Sequence, residues 1–292
     1  MKISNYEIKL VSANDIQKMD IPKINWIVEG LLPEGLALLA GRPKVGKSWL
    51  SSQLALSVAS GSKTMDYFQS LKSKVVYIAL EDNLRRLKDR INLLMQGNEA
   101  PADLYFLDKS EFNRFYQEGL LLIKQAIAQY EDLNLIIIDT LGNAISRDDR
   151  KFGISFQQEY DFMSELQNLA LQNQLCILLI HHTRKTVADS VYDEIVGTTG
   201  ITAAPDTLLI LKKQGDAFLM HVTGRDIKEE SYLLSQDEDS HNWIIVEKNV
   251  QFATTIERQD LVDVFNGDIQ IELQVKDIAE KLDKHRPTVS QL

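Results

Sequence analysis

The chain has 292 residues, 44% hydrophobic and 25% charged, with a formal net charge of −10. This composition suits a soluble protein with one large core and room for a small second unit, and its acidity excludes a global attraction for nucleic acid while leaving room for local basic loops. No apolar run approaches the length of a membrane span, the first ten residues carry no hydrophobic signal core, and a single cysteine, Cys176, excludes a disulfide framework within the chain, which together fit a reducing cytoplasm and no membrane partner.

Four short, nearly continuous apolar runs, 36–40, 75–80, 135–138 and 175–180, have the pattern of strands covered on both faces. Between them the period changes. Residues 47–60 place Leu50, Leu54 and Val58 at intervals of four, with Gly61 as a C-cap. A second helix reads from "NLRRLKDRINLLM", and residues 156–171 place Phe156, Tyr160, Met163 and Ala170 on one helical face. The alternation predicts an α/β fold, an open, mostly parallel sheet with helices on both faces. After residue 206 the pattern becomes two hairpins, one turning at Gln214-Gly215-Asp216 and one around an acidic turn, which extend the sheet in antiparallel fashion.

The loop after the first strand, Gly41-Arg42-Pro43-Lys44-Val45-Gly46-Lys47-Ser48, satisfies G-x-x-x-x-G-K-[ST]. Such a loop wraps phosphate with backbone N–H groups, and glycine is needed where a Cβ would clash or φ is positive. The helix that follows adds its N-terminal dipole. Lys47 is expected to reach the β- and γ-phosphates of ATP, and the Ser48 hydroxyl to ligate Mg2+. The nucleotide-binding set runs from Gly41 to Ser48, with Trp49 as the next helical residue and Asp139 across the sheet.

Asp139 ends the apolar run "LNLIIID", at the ligand edge of a parallel sheet, and is expected on the metal side with Ser48; the alternative is a cap on the next turn. Asp139 is followed by Thr140 rather than glutamate, so the base must come from elsewhere. Glu81, at the end of "VVYIALED", is the candidate that polarises the attacking water, with Asp82 capping the following helix. His181 and His182 end a further strand at the same edge. A γ-phosphate sensor is expected there, His181 ahead of His182; a metal role is disfavoured because adjacent strand residues point to opposite faces.

The order of these motifs, with "HHTRK" and the late "HVTGRD", resembles the RecA-like P-loop ATPases, most closely the plasmid RepA-type hexameric replicative helicases; the entry segment "INWIVEGLLPEGLALLAGRPKVGKSWL" is similar to that branch as well. The resemblance implies a RecA-like P-loop NTPase over residues 1–250 that hydrolyses ATP at subunit interfaces of a homo-oligomer, a hexameric ring. It implies Lys47, Glu81, His181 and Arg225 as catalytic residues, Arg225 acting in trans on a neighbour's nucleotide. It also places Arg184 and Lys185 in a loop that contacts single-stranded DNA, with 142–153 as a second channel-facing loop. Residues 251–292 read as a small helical segment, an incomplete helix-turn-helix of winged type or a helical lid on the ATPase domain. The expected activity is an ATP-dependent DNA helicase or translocase serving a plasmid, phage or mobile element. The alternatives are a recombination or repair ATPase without unwinding, and an ATP-switched DNA-binding regulator.

Overall fold

The structure, a computed structural model, describes residues 10–108, 115–144, 156–183, 204–215 and 217–250. A short helix α1 (Ala13–Lys18) with no buried residue precedes two small strands, β1 (Trp26–Val28) and β2 (Leu32–Pro33). Then come β3 (Gly35–Gly41), α2 (Lys47–Ser60), a ribbon of β4 (Lys63–Thr64) and β5 (Phe68–Gln69), β6 (Lys74–Ala79) and α3 (Leu84–Met95). The chain continues through β7 (Leu104–Asp108), α4 (Phe115–Gln129), β8 (Leu133–Asp139), α5 (Leu141–Ala144), α6 (Phe156–Gln172) and β9 (Cys176–His182). It closes with β10 (Thr207–Gln214), β11 (Ala217–Gly224), β12 (Glu230–Gln236) and β13 (Trp243–Lys248).

These strands form a nine-stranded sheet in the order β13-β12-β11-β10-β3-β9-β8-β6-β7. From β10 to β7 every neighbouring pair is parallel, and β11, β12 and β13 add to the β10 edge as antiparallel hairpins. The four predicted core strands lie side by side as β6, β8, β9 and β3, and both hairpins turn where expected, with Gly215 at φ +59°. Strand β7 and helix α4 complete a crossover the sequence pattern did not single out.

Pleat alternation sorts the core into two layers. One face of the sheet presents Ala37, Leu39, Tyr77, Ala79, Leu135, Ile137, Leu178 and Ile180 to Leu50, Leu54 and Val58 of α2 and Leu87 of α3. The other presents Leu36, Leu38, Ile78, Ile136, Ile138, Ile177 and Leu179 to Ile123 of α4 and Met163, Leu166 and Ala170 of α6. On α6 the inward row includes Phe162 and Leu166, whereas Tyr160, expected on that face, is 39% exposed. Helix α2 is buried nearly all round, and Gly61 ends it at φ +74°, as its C-cap reading required. Residues 251–292 and most of 142–153 lie outside the described residues, as do Arg184 and Lys185. No helix among the described residues is long and apolar enough to cross a membrane.

At the N-terminal edge of β3 one carboxylate joins three segments. Asp206 accepts from the buried Leu36 N–H at 3.0 Å, from Gln167 Nε2 at 2.7 Å and from Arg225 Nη1 at 3.1 Å. Its backbone bridges the same residues, with Asp206 N donating to the Leu36 carbonyl at 2.8 Å and Arg225 N to the Asp206 carbonyl at 2.9 Å. Gly35, at φ +111°, leaves it room: a Cβ there would stand 2.6 Å from Asp206 Oδ2. Asp206→Ala should cost about 1–3 kcal/mol in urea denaturation, because a buried N–H loses its acceptor, and Asp206→Asn should cost less. Wild-type stability in both variants would contradict this account of the edge.

Candidate nucleotide site

The C-terminal ends of β3, β6, β8 and β9 lie together at one sheet edge, where α2 begins. Gly41, Glu81, Asp139 and His182 each continue the row of their strand that faces α2. The loop between β3 and α2 needs both of its glycines. A Cβ on Gly41 would stand 2.4 Å from the Leu211 carbonyl oxygen. Gly46 has φ +103°, and a Cβ there would stand 2.4 Å from Trp243 Cζ2. Lys44 also takes a positive φ, +67°. Trp243, fully buried, belongs to β13, and its backbone exchanges two hydrogen bonds with Gln53 of α2 at 2.9 and 2.8 Å. The second hairpin therefore forms the floor of the loop.

The Lys47 ammonium is buried inside the loop's curl. It donates to the carbonyls of Gly41 at 2.8 Å and Arg42 at 2.9 Å and meets His182 Nδ1 at 3.0 Å. Burial lowers its pKa to about 8, opposed by the negative charges of Asp139 and Glu81. Glu81 accepts from Thr140 Oγ1 at 2.7 Å, and His182 Nε2 lies 3.5 Å from the same carboxylate. The His182 hydrogen bond chiefly lowers the Glu81 pKa, with Thr140 and Lys47 adding to it against partial burial, so Glu81 is ionised at neutral pH. His182 thus bridges Lys47 and Glu81. Pleat alternation gives this position to His182 and turns His181, the histidine expected first, to the opposite face with Ile177 and Leu179, where it is also buried.

Asp139 is 3% exposed. Burial raises its pKa, while hydrogen bonds from Tyr77 and Ser48 pull it down. Tyr77 Oη donates to Oδ2 at 2.7 Å, whereas Oδ1 is buried with no partner in ordinary hydrogen-bond geometry. An orphaned carboxylate oxygen beside a serine hydroxyl is a hard donor set that fits Mg2+, an ion that takes one or two protein ligands and completes its shell with water and phosphate.

Asp82 does not cap α3. Asn83 does, accepting from Arg86 N at 3.0 Å, while Asp82 pairs with Arg90 Nη2 at 2.6 Å. Arg90 lies over the Trp49 ring at 5.4 Å, and His241, from the turn between β12 and β13, packs against Trp49 at 4.4 Å. Together with the loop residues Pro43 to Ser48, these side chains, Glu81, His182, Phe218 and Gln236 line a cleft of about 550 Å³. Arg90, Tyr77, His241 and Trp243 were not singled out in the sequence. Tyr77 carries the only legible signal: a hydroxyl in an otherwise apolar strand, in phase with Glu81, requires a buried partner. Arg225 lies far along β3 from this cleft, at the Asp206 edge, with its side chain 64% exposed.

This arrangement, a glycine-bracketed loop between a central parallel strand and a buried helix with carboxylates at the ends of two further strands of the same sheet, defines a RecA-like P-loop ATPase fold. Comparison with known proteins agrees. The AAA domain family matches residues 4–188, and the chain belongs to that family. It is 24% identical over 183 residues to the DNA repair protein RadA of Streptococcus pyogenes serotype M6, covering 61% of this chain and 35% of that one. It is 26% identical over 159 residues to the DNA repair protein RadA of Halalkalibacterium halodurans, covering 53% and 29%. The chain therefore spans about a third of the length of these curated relatives. Among solved structures, the KaiC-like protein PH0186 of Pyrococcus horikoshii shares the fold, with a TM-score of 0.52 and 14% identity over 76% of this chain and 94% of that one.

The buried ammonium has a measurable consequence. Below about pH 8 the folded chain carries the cost of a buried charge at Lys47, and that cost is relieved as pH rises from about 8 towards the ordinary lysine value of 10.5. Lys47→Met removes it at every pH. The stability advantage of Lys47→Met over wild type, read by urea denaturation, should be largest at pH 7 and shrink between about pH 8 and 10.5. A difference that does not change with pH would contradict the burial of this charge.

Proposed function

We propose that this chain binds ATP with Mg2+ in the cleft above residues 41–48 and hydrolyses it, with Glu81 as the base for the attacking water. The observation that carries this reading is the ionised Glu81 carboxylate held by Thr140 and His182 beside the Lys47 ammonium. In this reading Lys47 exchanges its carbonyl acceptors for phosphate oxygens, and the N–H groups of the loop and of the first turn of α2 close around them. Ser48 and Asp139 would hold Mg2+, which would supply positive charge against the phosphates. In the same reading His182 reports loss of the γ-phosphate in preference to His181, supported by its contacts with both Lys47 and Glu81.

The motif order supports a DNA translocase or helicase of the RepA-type branch, working as a homo-oligomeric, hexameric ring on single-stranded DNA through Arg184 and Lys185. The position of Arg225 is compatible with that assembly. It lies at the edge of β3 opposite its own phosphate loop, so it can serve a nucleotide only in a neighbour's site. A second reading, a recombination or repair ATPase without strand separation, is favoured by the similarity to the RadA DNA repair proteins.

An ATPase assay with and without single-stranded DNA, run beside strand displacement on a forked duplex, tests these readings. Glu81→Gln should bind ATP as wild type does and turn it over roughly 100-fold more slowly or worse, the scale of losing a general base. Wild-type turnover in Glu81→Gln would overturn the assignment. DNA-stimulated hydrolysis with displacement supports the helicase, stimulation without displacement supports the repair ATPase, and hydrolysis indifferent to DNA contradicts both.

A further inference from the structure

Beneath the cleft, on the sheet face that packs against α2, a tyrosine hydroxyl is buried in the core. Tyr77 is fully buried on β6, four residues before Glu81 and in phase with it, and its ring packs on Phe106 at 5.4 Å. Its Oη donates to Asp139 Oδ2 at 2.7 Å. Because that single proton goes to the carboxylate, Ser51 is the donor in the 2.9 Å contact between Ser51 Oγ and Tyr77 Oη. Ser51 sits one turn into α2, and its Oγ also lies 3.2 Å from the Ser48 carbonyl. One buried pair of hydroxyls therefore links the carboxylate of β8 to the helical turn that carries Ser48.

We propose that Tyr77, oriented by Ser51, is a positioning residue for the magnesium-side carboxylate: it occupies Asp139 Oδ2 and orients the carboxyl plane so that Oδ1, left without a hydrogen bond of ordinary geometry, faces the metal position beside Ser48. The physical case rests on saturation. A carboxylate with two free oxygens in a buried site can rotate or fold towards other donors. With Oδ2 anchored, rotation about the Cβ–Cγ bond is restrained and Oδ1 is left to a cation. The strand supplies the rest: residues 77 and 139 lie on the same face of neighbouring parallel strands, with Tyr77 aligned to Ile137, so the phenol reaches two residues further along β8 to Asp139. A core tyrosine whose hydroxyl merely finds a convenient acceptor would contribute stability and nothing to metal affinity. This inference rests on the reading of Asp139 as a magnesium-side residue, and the two can fail separately.

The experiment is equilibrium binding of a fluorescent ATP analogue titrated with MgCl2, measured on the full chain. In wild type, binding tightens as Mg2+ is added. Tyr77→Phe keeps the ring and its packing, and should need roughly 10- to 100-fold more Mg2+ for the same tightening, the usual scale of losing an outer-sphere partner, with affinity for the metal-free analogue unchanged. Ser51→Ala should shift the Mg2+ requirement in the same direction by a smaller factor, and it keeps the test open should Tyr77→Phe fold poorly. Asp139→Asn should abolish the tightening. If Asp139→Asn responds to Mg2+ as wild type does, the reading of Asp139 fails, and the positioning role with it. If Asp139→Asn loses the response while Tyr77→Phe and Ser51→Ala keep the wild-type Mg2+ requirement, the positioning role alone is overturned.

Discussion

Pleat phase at the ends of four parallel strands is the constraint on which the site depends. β3, β9, β8 and β6 lie side by side, and on each strand the row that faces α2 is the row that ends in a polar side chain or in the loop's first glycine. A one-residue slip in any of these strands would send its terminal side chain to the α4 and α6 face. The apolar rows behind Glu81, Asp139 and His182 therefore do two things. They bury the sheet against α2, and they fix the phase in which the polar groups emerge.

The charges in the cleft depend on that convergence. An isolated ammonium buried as Lys47 is would be costly, and its lowered pKa reflects the part of that cost left uncompensated. Two carboxylates on neighbouring strands and a histidine on a third offset the remainder, and a phosphate group entering the loop would add the negative charge the ammonium lacks. The opposite trends of the carboxylates follow from their surroundings: Asp139, deep between α2 and β6, is pushed up by burial, while Glu81, nearer the cleft, is pulled down by its donors. Their environments thus separate a carboxylate suited to a hard cation from one suited to a water molecule.

Much of this was legible in the sequence for identifiable reasons. The phosphate loop was readable because its glycines answer to local backbone geometry, and both carboxylates because they end short, continuous apolar runs. The antiparallel hairpins were readable from their turns, but not that β13 would place Trp243 under Gly46, because that contact joins residues about two hundred positions apart. The choice between His181 and His182 was legible in principle. Counting alternation from Leu178 and Ile180 puts 182 on the α2 face, provided one knows which face α2 covers, and that is a tertiary fact. Asp82 was read as a cap because acidic residues favour helix starts, yet Asn83 stands one position closer and Arg90 offered Asp82 a partner. The pairing of Arg225 with Asp206 was not legible, because it joins the two open ends of the β10–β11 hairpin.

The most direct test of the account is a crystal structure with Mg2+ and a non-hydrolysable ATP analogue. The account predicts the triphosphate wrapped by residues 41–48, with Lys47 Nζ on the β- and γ-oxygens. It predicts Mg2+ beside Ser48 on the Oδ1 side of Asp139, and a water between Glu81 and the γ-phosphorus. A triphosphate bound outside this loop, or a metal with no approach to Asp139 and no water near Glu81, would contradict it.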